Sequence, residues 1–305
     1  ISACLVGSEM CIRDSRKIIR FEERDHTKAK PYDKTTKKYI AVFPGLVDLV
    51  EYKGQTAYLI KDGGECAIKT QISVDGINYY PPPKEKLGFL LPDSERTMAI
   101  INDSRETNQR LYKDIIQQLK IFTDPPSEKH YDLLAPWIMH TYLLENFDYS
   151  PQLCFFALEI RGKTTTGKAL IYTAYRGVLV ESTTEAYILR WAKYLGGSIF
   201  FDFMDIWKTV TRRGIEDVLL HRFEKGSTVI RITNPELEAF DDLRVFQTFG
   251  PTIYATNHPP HTILEGRGIA IIMPKSKRIF EEKPTKEGLL TLKERLVAFR
   301  ARNLG

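Results

Sequence analysis

The sequence predicts an α/β protein: a parallel sheet with helices on both faces, preceded by a small mainly-β region and a helical segment. Three observations predict it. Short β-type runs separated by Gly/Asp turns fill residues 40–80, two stretches with apolar residues at helical spacing follow, and from Leu153 onward buried-type strands alternate with helices. Such alternation covers a parallel sheet on both sides and sets a ligand at the carboxyl ends of the strands. The expected divisions are 1–15, a β-rich domain over 16–93, a helical connector over 94–147 and the α/β domain over 148–305.

Residues 1–15 (ISACLVGSEMCIRDS) resemble translated sequencing adapter rather than a signal peptide, lacking a basic n-region and a continuous apolar stretch. Of the four cysteines, Cys4 and Cys11 fall there; Cys66 and Cys154 are too far apart for metal-ligand spacing, which makes a reducing, cytoplasmic setting the expectation. The 305 residues carry 44 Lys+Arg against 39 Asp+Glu, a net +5 that permits nucleic-acid contact without demanding it. No apolar run approaches the roughly 20 residues that span a bilayer, so no membrane partner is expected.

Arg16–Tyr39 is densely charged and reads as a leading strand or arm with a solvated loop, or equally as a disordered linker. Strands are expected at Ile40–Phe43, Leu46–Tyr52, Thr56–Ile60, Cys66–Ser73 and Ile77–Tyr80, forming an antiparallel meander or small barrel that Pro81–Pro83 ends. Helices follow at Thr107–Ile121, with its stripe of Leu111, Ile115, Ile116, Leu119 and Ile121, and at Tyr131–Asn146. His130 and His140 read as core or surface residues, since no second ligand lies at metal spacing. Beyond Leu153–Leu158, strands are expected at Val178–Glu181, Gly197–Asp202, Ser227–Thr233, Pro251–Thr256 and Gly268–Met273. Helices are expected at Glu185–Leu195, opened by the capping box Ser182–Glu185, and at Ile215–Lys225.

The stretch that carries chemistry is Arg161–Ala169 (RGKTTTGKA). Gly162 and Gly167 occupy the glycines of G-x-x-x-x-G-K-[ST], Lys163, Thr164, Thr165 and Thr166 fill the loop, and Lys168 takes the lysine position. Glycines let successive backbone N–H groups curl into an anion-binding nest at a helix N-terminus, and the lysine reaches the terminal phosphates. Ala169 stands where a hydroxyl would hold magnesium. Asp202, closing a buried strand with one further strand in between, suits a metal-nucleotide site; its other reading is a strand-ending acid capping a turn. Phe203 follows it where a water-polarising glutamate is usual, leaving Asp205 or Glu181 as substitutes. Asn257 ends a later strand as a candidate phosphate sensor, and Arg267 precedes the last strand as a candidate arginine finger.

From about Leu133 onward the chain resembles the P-loop ATPase module, AAA+ or superfamily 3-like, of phage- and mobile-element-type replicative helicases and primase-helicases. Phe249–Asn257 and Leu264–Met273 look like its sensor and post-sensor arginine parts. The resemblance implies bound ATP and Mg2+, the metal held through water by Asp202, together with single- or double-stranded DNA and a ring-shaped homo-oligomer. It also implies that the hairpin after the Ile215–Lys225 helix enters a DNA channel, with His221, Arg222, Lys225 and Arg231 on phosphates. The departures at Ala169 and Phe203 leave a second function open, a nucleotide-binding switch or assembly module with weak or no hydrolysis.

Overall fold

The structure, a computed structural model, describes residues 37–158, 161–182, 184–233, 236, 240–258, 266–276 and 278–304. The expectations for residues 1–15 lie outside the described residues.

Leu46–Tyr52 (β2) and Gln55–Asp62 (β3) form a hairpin because Lys53 and Gly54, both at positive φ (50° and 77°), make the tight turn that matches strand twist. Glu65–Lys69 (β4) extends it to an antiparallel three-stranded sheet. The single strand expected at Cys66–Ser73 breaks at Thr70–Gln71. Ile72–Val74 (β5) instead pairs with Ile77–Tyr80 (β6), and Lys38–Tyr39 (β1) joins β6 in parallel. The β region is therefore two small sheets rather than one meander or a barrel, and the strand expected at Ile40–Phe43 lies two residues earlier.

Ser94–Ile101 (α1) starts at an Asp93 cap, and Asn108–Phe122 (α2) starts at a Thr107 cap whose hydroxyl accepts from the Arg110 amide. Lys129–Tyr142 (α3) follows and gives way to a single 3-10 turn, Leu144–Asn146. Leu111, Ile115 and Leu119 face the core, as their spacing predicts, and Ile116 packs partly buried against it, whereas Ile121 is exposed and Phe122 takes the buried position at the helix end. His140 is mostly buried, its Nε2 3.1 Å from the Ser150 hydroxyl, and burial lowers its pKa.

The second half holds five parallel strands: Gln152–Phe156 (β7), Val178–Val180 (β8), Ile199–Asp202 (β9), Thr252–Thr256 (β12) and Gly268–Ile272 (β13), in the order β13-β7-β12-β9-β8. The fold is thus mixed α/β with a five-stranded parallel sheet. Lys163–Thr173 (α4) links β7 to β8, and Glu185–Leu195 (α5) links β8 to β9. Between β9 and β12, the single helix expected over 215–225 is corrected. Ile206–Arg213 (α6) ends at Gly214, in the left-handed conformation (φ 64°), and Glu216–Leu220 (α7) stops where Arg222 turns into the core. Thr228–Ile232 (β10) forms a hairpin with Leu243–Gln247 (β11), a strand the sequence reading lacks.

A last helix, Leu290–Asn303 (α8), was also unforeseen, and it packs against α1, α2, α3 and β2. Its Arg300 donates to the Val47 and Leu46 carbonyls (2.7 and 3.2 Å) and to the Tyr142 carbonyl. One core cluster accordingly joins β2 and β3 to α2, α3, α4, α8 and the parallel sheet. No described helix is long and apolar enough to cross a membrane.

Candidate nucleotide site

The strands β7, β9 and β12 end level with one another: Thr256 pairs with Phe156 and Ala255 with Asp202. Their carboxyl ends gather Ala157, Gly162, Asp202 and Asn257 along one edge of the sheet.

The glycine stretch lies in a different register from the one its regular spacing suggests. Gly162 is the N-cap of α4, at φ 77°, a conformation that costs glycine little and other residues much. Lys163, Thr164, Thr165 and Thr166 are therefore the first helical turn instead of a loop, with the Thr166 amide already donating to the Gly162 carbonyl at 2.9 Å. Gly167 sits inside the helix against β9, where a Cβ would come within 2.1 Å of the Phe200 ring. Its role is close packing of helix on sheet. Ala169 is buried in the core.

What stands at the helix start is Gly162-Lys163-Thr164. Read from there, Ala157 stands where the first glycine of G-x-x-x-x-G-K-[ST] would stand. The Lys163 ammonium is buried and donates to the Ala157 and Leu158 carbonyls, both at 2.7 Å, folding back onto the residues that follow β7. The Thr164 hydroxyl lies beside the Asp202 carboxylate, near enough to favour its ionised form. Lys168, one helical turn beyond Thr164 and half-buried, also acts on Asp202 electrostatically. Burial raises the Asp202 pKa, the Thr164 hydroxyl and the charges of Lys168 and Lys163 oppose the rise, and the Glu181 charge adds to it. Sequence spacing missed this pairing because two Gly-Lys dipeptides lie five residues apart; the threonine after the first, absent after the second, was the signal available.

The remaining expected site residues are distributed unequally. Glu181, just past β8, is exposed on the same edge, close enough to Asp202 for its charge to be felt. Asp205 caps α6 by accepting from the Lys208 amide at 3.0 Å and lies 3.7 Å from His258. Phe203 is buried, its ring 6.1 Å from that of Phe201, so the position after Asp202 belongs to the core. Asn257 follows β12 and donates its amide to the Met204 carbonyl at 3.0 Å, between the loop and Asp202. Arg267 lies elsewhere. It precedes β13, its carbonyl accepts from the Gln152 amide at 3.1 Å, and it occupies the amino-end edge, a strand length of about 15 Å from the others.

The expected DNA-contacting cluster is corrected in part. Arg222 is fully buried and donates to Thr252 Oγ1 (2.8 Å) and to the carbonyls of Thr248, Gly197 and Pro251 (3.0, 3.2 and 3.1 Å). It clamps the amino ends of β9 and β12 and is inaccessible to a ligand. Arg231 is held by Glu185 and Asp217, at 2.5 and 2.7 Å, fixing the hairpin to α5 and α7. The Lys225 ammonium donates to the Glu145 carbonyl at 2.8 Å. The His221 ring, exposed, contacts the Asp217 carbonyl at 2.7 Å.

No protein-family model matches the sequence, and no curated protein matches it. Among solved structures, it is similar to the apo NrS-1 C-terminal region, at 10% identity and TM-score 0.38 over 85% of this chain and 66% of that one. It is similar to an inhibitor-bound JCV helicase at 12% identity and TM-score 0.37, over 68% of this chain and 59% of that one. A third, the SCCmec type IV Cch helicase, gives 13% identity and TM-score 0.35 over 94% of this chain and 48% of that one. The chain thus spans less than two thirds of the length of each. At this level of similarity, what the site does rests on its own residues.

Proposed function

We propose that the chain binds ATP with Mg2+ at the carboxyl edge of the parallel sheet, through Gly162, Lys163, Thr164 and Asp202, and serves as a helicase-like, DNA-dependent ATPase. The observation that carries the reading is the Thr164 hydroxyl beside the Asp202 carboxylate, directly after a buried lysine that folds back onto the Ala157 and Leu158 carbonyls. A hydroxyl and a carboxylate side by side form the hard-oxygen pair that suits Mg2+, an ion that takes one or two protein oxygens and completes its shell with water and phosphate. The ion would neutralise phosphate charge there. Lys163 exchanges two neutral carbonyls for phosphate oxygens, and the amino end of α4, where backbone N–H groups point out of the helix, faces the same anion. Lys168 adds positive charge one turn deeper, and Asn257 borders the site from β12.

With Phe203 in the core, a water-activating carboxylate has to come from a neighbouring strand. Glu181 suits this better than Asp205, which is occupied as a helix cap. The buried Phe203 is also what favours the second reading, a nucleotide-responsive switch with little turnover. DNA as substrate, a ring of identical subunits and a role for Arg267 between them follow from the resemblance of residues 249–257 and 264–273 to replicative helicases. Phosphate release, measured with and without single-stranded DNA on protein sized by light scattering, separates the two readings. DNA-stimulated release that disappears in Glu181→Gln supports the motor. Tight ATP binding with release at background favours the switch.

A further inference from the structure

The sheet order puts β12 between β7 and β9, so the chain leaving β12 emerges between the residues that follow those two strands. On one flank the Ala157 amide donates to the Thr256 carbonyl at 3.3 Å, and on the other the Asn257 amide reaches the Met204 carbonyl. His258 comes next. Its amide donates to the Thr256 hydroxyl at 3.2 Å, a local bond that turns the chain at the strand end. The His258 side chain is 59% exposed, with Nε2 3.7 Å from Asp205 Oδ2. The other carboxylate oxygen of Asp205 caps α6.

The charge of a terminal phosphate is spread over three oxygens, and a site that holds it needs donors on more than one side. Lys163 and Lys168 both come from α4, and Arg267 stands at the opposite edge of the sheet. His258 reaches the carboxyl edge from β12 instead, on the strand that separates the loop after β7 from Asp202. A protonated imidazole donates from both ring nitrogens. Nε2 can therefore stay on Asp205 while Nδ1 donates to a phosphate oxygen.

We propose that His258, oriented by Asp205, contacts the terminal phosphate of the bound nucleotide and lets the site distinguish a nucleoside triphosphate from a diphosphate. The inference rests on the nucleotide site proposed above. It gives Asp205 a task other than activating water: one oxygen starts α6 and the other holds the imidazole. Asn257 and His258 then approach the phosphates together from the turn after β12.

Calorimetric titration of the full chain in the presence of Mg2+ tests this, with ADP and the β,γ-imido analogue of ATP as ligands. The unaltered chain should bind the analogue more tightly than ADP. His258→Ala, at an exposed position, should fold and lose about tenfold in affinity for the analogue while keeping its affinity for ADP. Asp205→Asn retains a good helix cap and should lose part of the preference in the same direction. An unchanged ratio of the two affinities in His258→Ala would overturn the contact and leave the nucleotide site standing. So would an equal loss for both ligands, the mark of a merely structural role, or equal affinities in the unaltered chain. A full preference in Asp205→Asn would overturn the part assigned to Asp205. No binding of either ligand by the unaltered chain would overturn the nucleotide site itself, and the inference with it.

Discussion

Thr164, on the first turn of α4, sets its hydroxyl beside the Asp202 carboxylate at the end of β9, bringing the helix start to a strand two places away in the sheet. In the nucleotide-binding account both groups serve one Mg2+ ion. Thr164→Val, which keeps the shape and removes the hydroxyl, should weaken Mg2+-dependent ATP binding about tenfold while leaving metal-free binding nearly unchanged. Because burial raises the Asp202 pKa, the carboxylate is lost on acidification at a higher pH than an ordinary aspartate. Mg2+-dependent affinity should therefore fall as pH drops, beginning above the usual carboxylate range, and Asp202→Asn should lack that fall. Calorimetric titrations across mildly acidic pH, with and without Mg2+, read both effects; identical pH profiles for the two proteins would contradict the assignment.

Gly167 is predicted to matter for stability more than for phosphate contact. A Cβ there meets the Phe200 ring at 2.1 Å, so Gly167→Ala forces helix and strand apart despite the better helix propensity of alanine. The expected cost is about 1–3 kcal/mol in denaturant unfolding. A stabilised Gly167→Ala would show that α4 does not approach β9 so closely.

Arg222 holds four acceptors in the interior with no carboxylate beside it, and burial lowers its pKa to about 10. Arg222→Met should destabilise the fold by about 2–4 kcal/mol, because the carbonyls of Thr248, Gly197 and Pro251 lose a donor where water cannot reach them. A well-folded Arg222→Met with unchanged unfolding midpoint but weakened DNA binding would restore this arginine to the surface role its position in the sequence suggests.

Much of the architecture is legible in the sequence, because burial and period agree along most of it. Leu46–Tyr52, Ile77–Tyr80 and Glu185–Leu195 have in the structure the bounds that apolar periodicity and turn residues indicate. The capping box expected at Ser182–Glu185 is corrected, since Thr184 and not Ser182 is the N-cap of that helix. Helix α8 escapes notice because Lys293, Glu294 and Arg300 point inward, which erases the apolar stripe that marks an amphipathic helix. The short helix at Glu216–Leu220 was drawn too long because His221, Arg222 and Lys225 look like a solvated basic face, whereas Arg222 is a core clamp. In the candidate site, Asp202 and Asn257 could be placed by their strand ends. The loop could not, since a glycine needed for packing and a glycine needed for a left-handed cap look alike in one dimension.

The two lysines decide the central claim. Affinity for a non-hydrolysable ATP analogue with Mg2+ should be measured by calorimetry on Lys163→Ala and Lys168→Ala, with circular dichroism confirming that both fold. Lys163→Ala should lose about 10- to 100-fold in affinity, and Lys168→Ala should lose less. A Lys163→Ala protein that binds as tightly as the unaltered chain, with Lys168→Ala the one impaired, would contradict the placement of the phosphate site at Gly162-Lys163-Thr164.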